Sequence, residues 1–228
     1  MRLHLEPENC LPKSLEWPIS RTHSLSDTTF YQRAGKRILD VLCAAVGLVL
    51  LAPLFPILAA LLKLTSPGPV FFIQPRVGRE GKFFLLMKFR SMRATREFGP
   101  SVTVSGDPRI TSVGAILRRF KMDELPQLWN VLKGEMSLVG PRPEVEEYVM
   151  EYTPSQRQVL AVRPGITDPA SIAYRHEEEL LSSVLDPERY YRTIVLPQKL
   201  LLNLQYADNI SFRRDVALIL KTIRSILF

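Results

Sequence analysis

Apolar and polar positions change rhythm twice along the chain. From Val41 to Leu62 the residues read VLCAAVGLVLLAPLFPILAALL, an apolar run without a charge. At about 22 residues, it meets the roughly 20 needed to span hydrocarbon at 1.5 Å per residue. A buried helix of a soluble protein is the plain alternative. Pro53 and Pro56 fall near the middle, where a proline removes a backbone donor and clashes with the preceding turn. Two arrangements then fit: a kinked helix that crosses, or a helix-break-helix that dips into one leaflet and returns. Lys36 and Arg37 flank one end and Lys63 the other. The positive-inside tendency puts both ends on the cytoplasmic face and favours a re-entrant segment over residues 36–64.

From Leu64 onward the pattern is that of an α/β unit with short strands. Pro67-Gly68-Pro69 makes a turn before a strand at 70–73, and the turn at 76–81 leads to a second strand at 83–87. Residues 88–93 close this hairpin with Lys88, Arg90 and Arg93, and 94–108 read as a long loop. Val113, Ile116, Leu117 and Phe120 recur at helical spacing after Thr111 or Ser112. A second helix starts at Leu125-Pro126, shows an apolar face through Leu128, Trp129 and Leu132, and stops at Gly134. At the far end, Phe212, Val216, Ile219, Ile223 and Leu227 share one stripe among Arg213, Arg214, Lys221 and Arg224. A basic amphipathic helix of this kind suits a membrane surface, and a core-facing helix has the same pattern.

Composition narrows the partners. Of 228 residues, 30 are Lys or Arg against 23 Asp or Glu, a formal net charge of +7. Such an excess suits phosphates, acidic lipid or nucleic acid. No recognisable nucleic-acid-binding motif accompanies the charge, which disfavours the last. Cys10 and Cys43 make no disulfide framework, and His4, His23 and His176 have no zinc spacing. Residues 1–35 carry prolines among polar residues and lack a signal peptide's basic start and apolar core. They read as a loosely ordered extension, with a homodimer contact as one use for it.

Against this basic background, Asp123 and Glu124 sit side by side at the expected N-terminus of the second helix. Unpaired amides and the helix dipole favour negative charge there, so Asp123 could be an ordinary N-cap worth about 1 kcal/mol. Lys88, Arg90, Arg118 and Arg142 are candidates to converge on the same place, and cations around a helix tip make a phosphate site. Arg142 is framed by Pro141 and Pro143, which restrict its backbone and keep the guanidinium aimed.

The stretches KRILDVLCAAVGLVLLAPLFPILAALLKL, VFFIQPRVG, FFLLMKFRSM, RRFKMDELPQLWNVLKGEMSLVGPRP and VRPGIT, in this order and spacing, resemble the bacterial sugar transferases, the monotopic polyprenyl-phosphate phosphoglycosyltransferases. The similarity runs from about Lys36 to the C-terminus. It implies an α-rich α/β protein in three parts: the extension 1–35, a re-entrant membrane helix at 36–64 broken at Pro53, and a cytoplasmic catalytic unit at 65–228 with a short sheet and amphipathic interfacial helices. It implies location at the bacterial inner membrane and transfer of a sugar 1-phosphate from a UDP-sugar to polyprenyl (undecaprenyl) phosphate, which starts a lipid-linked glycan. In the matching pattern Asp123 is the nucleophile and Glu124 its base or metal partner, both serving Mg2+. Lys88, Arg90, Arg118, Arg142 and, in VRPGIT, Arg163 are expected around the phosphates. A membrane-anchored phosphate-binding scaffold without turnover is the rival reading, and the intact acid pair argues against it. Two positions depart from the pattern: many relatives have serine where Ala52 precedes Pro53, and the sequence after Thr167 differs.

Overall fold

In the computed structural model, which describes residues 30–93 and 102–227, the apolar run folds as two helices rather than one. A π-helical turn at Tyr31–Gly35 leads into α1 (Lys36–Leu51), so helix begins inside the stretch expected to be a loose extension; residues 1–29 lie outside the described part. After a two-residue break, α2 (Leu54–Thr65) leaves at 61°. Both prolines fall where a missing N–H matters least. Pro53 is the N-cap of α2 and Pro56 lies in its first turn, whose N–H groups lack intrahelical partners in any case. The break forms without a side-chain cap, consistent with Ala52 lacking a hydroxyl. Among the described residues no single helix is long and apolar enough to cross a membrane, but the bent pair passes that test together.

One face of α1 packs inward. Ala44 is buried against the cluster of Phe84, Leu86, Val131 and Met136, and a Cβ on Gly47 would sit 3.2 Å from Leu128. The opposite stripe, Ile38, Leu42, Val46 and Val49, stays exposed, as do Ile57, Leu61 and Leu64 of α2. The basic flank is not a free charge: Arg37 donates to the carbonyls of Val131 and Leu132 at 2.6 and 2.9 Å. Lys36 is paired with buried Asp215, which also accepts from Tyr31 and Tyr206, each at 2.6 Å.

The expected hairpin is longer than its apolar letters suggest. Strand β1 (Phe71–Val77) pairs antiparallel with β2 (Phe83–Phe89), with Phe72 opposite Lys88 and Arg76 opposite Phe84. Residues 94–101 of the expected loop lie outside the described residues; beyond them Val102 is buried in the main core. Helix α3 (Ser112–Arg119) starts as expected, with Thr111 Oγ1 accepting from the Gly114 amide at 2.9 Å. Helix α4 (Gln127–Lys133) ends at Gly134, whose φ of 87° suits glycine.

A second sheet has no counterpart in the sequence reading. Strand β3 (Ser137–Val139) and, after α5 (Glu146–Met150), strand β4 (Gly165–Thr167) form a parallel pair. Close approach explains the glycines here: a Cβ on Gly140 would lie 2.3 Å from the Arg163 carbonyl. Short helices α6 (Pro169–Ala173), α7 (Glu177–Ser182) and α8 (Pro187–Tyr190) lead to α9 (Leu196–Ala207). Tyr148, Tyr152, Val159, Tyr191, Val195 and Leu200 build the largest core cluster around α9. The chain closes with α10 (Phe212–Leu227), which turns Asp215 inward and leaves Phe212, Leu220 and Ile223 exposed.

Candidate active site

The acid pair is set in a tight turn, not at an α-helix cap. After α3, Lys121 takes a left-handed φ of 54°, and Met122–Glu124 form one 3-10 turn before Leu125, Pro126 and α4. Met122 and Leu125, three residues apart, pack against the cluster of Leu58, Leu62, Phe89 and Leu117 and hold the turn from below. The N-cap reading of Asp123 is therefore corrected: Pro126 is the N-cap of α4, and no side chain caps it. Asp123 and Glu124 are nevertheless buried, at 5% and 7% exposure.

Their environments differ sharply. Glu124 Oε1 accepts from Lys88 Nζ at 2.9 Å and from an Arg142 Nη at 3.0 Å. Asp123 Oδ1 is buried without a hydrogen-bond partner. Leaving a buried acceptor unsatisfied costs about 1–3 kcal/mol, and more for a charged one, so such an atom calls for an explanation. Burial first, and then the charge of Glu124, push the Asp123 carboxyl above the usual range, while Lys88, Lys121 and Arg118 oppose the rise. Burial would also raise Glu124, but Arg142 and then Lys88 outweigh it and hold Glu124 well below the usual range. The result is one acid kept as a carboxylate by ion pairs beside another left open for a partner.

Arg142 reaches Glu124 from a segment pinned just ahead of it. The Gly140 amide donates to the Thr167 carbonyl and the Gly165 amide to the Pro141 carbonyl, each at 2.9 Å. All described peptide bonds are trans, including those preceding Pro141 and Pro143. Lys88 comes from β2 and Arg142 from the segment after β3, so the two cations meet on one oxygen from separate parts of the chain.

The other expected phosphate ligands are placed differently. Arg90 is buried and donates to the carbonyls of Pro67 and Ser66 at 2.7 and 2.8 Å, to the Ser66 hydroxyl, and to the Leu62 carbonyl. It caps the end of α2 and is not directed at the acids. Carbonyls left over at a helix C-terminus need donors, and Arg90 supplies them. Arg163 donates through Nε to the Gly134 carbonyl at 3.0 Å, in an arginine-rich neighbourhood with Arg79 and Arg37. Arg118 acts on Asp123 through its charge, but its guanidinium is paired with Glu178. The run 176–179, expected as a solvated helix face, is partly engaged as well: Glu177 accepts from buried Lys199 at 2.7 Å.

Four residues near the acids are not singled out by the sequence: Lys121, whose charge acts on both carboxyls, and Glu144, Arg76 and Tyr191, which are joined to one another just beyond Arg142. The one available signal for Glu144 was its position directly after Pro-Arg-Pro.

Among the described residues no group of three or more His, Cys, Asp or Glu side chains could hold a metal ion. The two adjacent carboxylates, one with a free buried oxygen, do fit the usual Mg2+ mode, in which one or two carboxylates share the ion with substrate phosphates.

Comparison with known proteins identifies the family. Residues 31–228 match the family model described as bacterial sugar transferase. The chain is 39% identical over 196 residues to the UDP-N-acetylgalactosamine-undecaprenyl-phosphate N-acetylgalactosaminephosphotransferase of Aeromonas hydrophila, covering 84% of this chain and 43% of that protein. It is also 39% identical over 198 residues to the UDP-glucose:undecaprenyl-phosphate glucose-1-phosphate transferase of Caulobacter vibrioides, covering 84% of this chain and 69% of the relative. The exopolysaccharide production protein ExoY of Rhizobium meliloti is 35% identical over 208 residues, with 84% and 85% covered. With a family match over nearly the whole chain and relatives above 30% identity, this protein belongs to the bacterial sugar transferases.

Proposed function

We propose that the chain transfers a sugar 1-phosphate from a UDP-sugar to undecaprenyl phosphate through a covalent intermediate on Asp123. The observation that carries this reading is the buried, unpartnered Asp123 Oδ1 beside a Glu124 whose charge is already answered by Lys88 and Arg142. The Asp123 carboxylate attacks the β-phosphorus of the donor, a bond from phosphorus to Asp123 forms, and the bond to the bridging oxygen breaks to release UMP. A phosphate oxygen of undecaprenyl phosphate then attacks the same phosphorus and displaces Asp123, giving the lipid diphosphate sugar. Each step exchanges one P–O bond for another, so the transfer is divided into two easier displacements.

Like charges oppose the attack of a carboxylate on a diphosphate. Lys88, Lys121, Arg118 and Arg142 supply the fixed positive charge that offsets this repulsion. Asp123 and Glu124 would hold Mg2+ together with the substrate phosphates, and the ion would supply further charge stabilisation for the diphosphate and the departing UMP. Arg142 suits bidentate contact with phosphate oxygens.

The acceptor lipid requires the site at headgroup depth. Seven aliphatic side chains, Ile38, Leu42, Val46 and Val49 of α1 with Ile57, Leu61 and Leu64 of α2, are exposed, and each gains about 1.5–3 kcal/mol when buried. So many exposed apolar side chains on two successive helices call for a partner, and a bilayer entered and left at one face by the bent pair is the reading we adopt. We assign the exposed face of α10, with Phe212, Leu220 and Ile223, and its cations to the same interface.

The test is release of UMP from UDP-glucose and UDP-N-acetylgalactosamine by membranes holding the wild type and D123N. The wild type yields UMP and a lipid-linked product, and D123N yields neither and traps no phosphosugar on the protein. Near-normal UMP release by D123N would refute the nucleophile assignment. Single cysteines at Arg33 and Lys63 should both react from the cytoplasmic face only; reaction on opposite faces would establish a crossing pair.

A further inference from the structure

Behind the acid pair lies a second polar assembly that the proposed chemistry does not use. The residue after the Pro-Arg-Pro segment, Glu144, is 8% exposed and is held on three sides. Its backbone carbonyl accepts from the Val77 amide at 3.0 Å. One carboxylate oxygen accepts from the Tyr191 hydroxyl at 3.0 Å, and the other pairs with Arg76 at 3.5 Å. Arg76 also donates to the Pro143 carbonyl at 3.2 Å and, through its other terminal nitrogen, to Gln74 Oε1 at 2.9 Å. Pro143-Glu144 is thus fastened to the end of β1 by backbone and side chain together.

This fastening matters because of what each partner carries. Strand β1 pairs along its whole length with β2, which carries Lys88. Pro143-Glu144 immediately follows Arg142. Lys88 and Arg142 meet on the same oxygen of Glu124, so their separation is fixed by whatever joins the hairpin to the Pro-Arg-Pro segment. Prolines on both sides of Arg142 stiffen the segment but do not anchor it. A buried carboxylate with two side-chain partners and a backbone tie does.

We propose that Glu144 is a positioning residue for Arg142. Through Arg76, Val77 and Tyr191 it sets where the Arg142 guanidinium stands relative to Lys88. Glu144 itself does not touch the substrate. The inference rests on the reading of Asp123, Glu124 and Arg142 given above. Placement errors near 1 Å at a reacting centre can lower turnover about a hundredfold, so loosening the anchor should be visible in kcat.

The test is a double-mutant cycle in membranes, read as UMP release, with E144Q, R142Q and E144Q/R142Q. Glutamine keeps the shape of Glu144 and an acceptor for Tyr191 but removes the charge that pairs with Arg76. E144Q should lower kcat about tenfold, and in the R142Q background it should have no further effect, because the group it positions is already gone. Equal losses in both backgrounds would mean a merely structural role and overturn the proposal. If R142Q itself turns over like the wild type, the reading of the site fails; if R142Q is impaired and E144Q is not, only this inference fails.

Y191F covers the case in which E144Q does not fold, since it removes one hydrogen bond to Glu144 and leaves every charge in place. It should lower kcat about threefold with no further loss in R142Q, and wild-type kcat in Y191F would sink the idea. A readout independent of any donor is amide exchange of the peptide containing Val77. Exchange should accelerate about tenfold in E144Q or Y191F with the β2 amides unchanged, and unchanged Val77 exchange would show that no anchor was lost.

Discussion

Arg142, from the segment that follows β3, and Lys88, from β2, bind the same carboxylate oxygen of Glu124, at 3.0 and 2.9 Å. That one oxygen takes up two cations while Asp123, next in the chain, keeps a buried oxygen without a partner. Adjacent acids of the same chemistry thereby have different surroundings, and this difference is the ground for proposing Asp123, not Glu124, as the nucleophile.

This division predicts the behaviour of E124Q. Burial and then the Glu124 charge raise the Asp123 pKa; with the charge gone, Lys88, Lys121 and Arg118 act on Asp123 with less opposition, and its pKa falls. The acidic limb of kcat/KM should therefore move to lower pH in E124Q, even as kcat drops about a hundredfold from loss of the group that gathers the cations. Profiles of UMP release from pH 4 to 8 check both, and an acidic limb that moves upward would contradict the assignment.

Lys88 sets the other limb. Burial lowers it from the ordinary 10.5 to about 8, with Glu124 pulling it back up and Arg142 pushing it down again. Above about pH 8 the amine loses its charge, its pairing with Glu124 weakens, and kcat/KM should fall. An arginine at this position stays charged throughout, so K88R should lose the alkaline limb below pH 10 if it retains activity. A limb near pH 8 that persists in K88R would assign it to another group.

Arg90 illustrates how far the sequence could be read. It lies two residues beyond Lys88 in the same cationic run, and nothing local distinguishes the two. What separates them is the end of α2, twenty-odd residues earlier, whose carbonyls Arg90 satisfies. The elements that were legible depend on near neighbours: the β1–β2 hairpin from its turns, α3 from its apolar spacing and Thr111 cap, and the stop at Gly134 from its left-handed backbone. The β3–β4 pair was not legible, because two three-residue strands far apart in the chain have no local period to announce them. Nor was the pairing of Lys36 with Asp215, across nearly the whole described chain. The acid pair stands out by its chemistry, but the 3-10 turn that holds it does not, since two acids ahead of a proline-led helix also make a good cap.

Removing Arg90 should act on stability and not on the chemistry. R90M strips donors from the carbonyls of Pro67 and Ser66 and leaves the groups of buried Ser66 unsatisfied, at about 1–3 kcal/mol for each such group. For a chain of this size a loss of about 3 kcal/mol corresponds to roughly 6–12 °C in melting temperature. The KM of the fraction that remains folded should stay within about twofold of wild type. A large rise in KM with an unchanged melting temperature would return Arg90 to the phosphate site.

The last prediction concerns the tie between the two ends of the described chain. Asp215, on α10, is 1% exposed and is satisfied by Lys36, Tyr31 and Tyr206, so one carboxylate joins the start of the bent pair to the final helix. Removing one partner of a buried ion pair leaves the other uncompensated, at about 3–5 kcal/mol. D215A should therefore release α10 from the body, with new proteolytic cleavage between Tyr206 and Phe212 and a lowered melting temperature. Neutralising both partners in K36M/D215L removes the stranded charge and should recover part of the lost stability, because an apolar pair of similar volume has no desolvation penalty to offset. If the double variant is no more stable than D215A, the hydrogen bonds from Tyr31 and Tyr206, and not the charge pair, hold the two ends together.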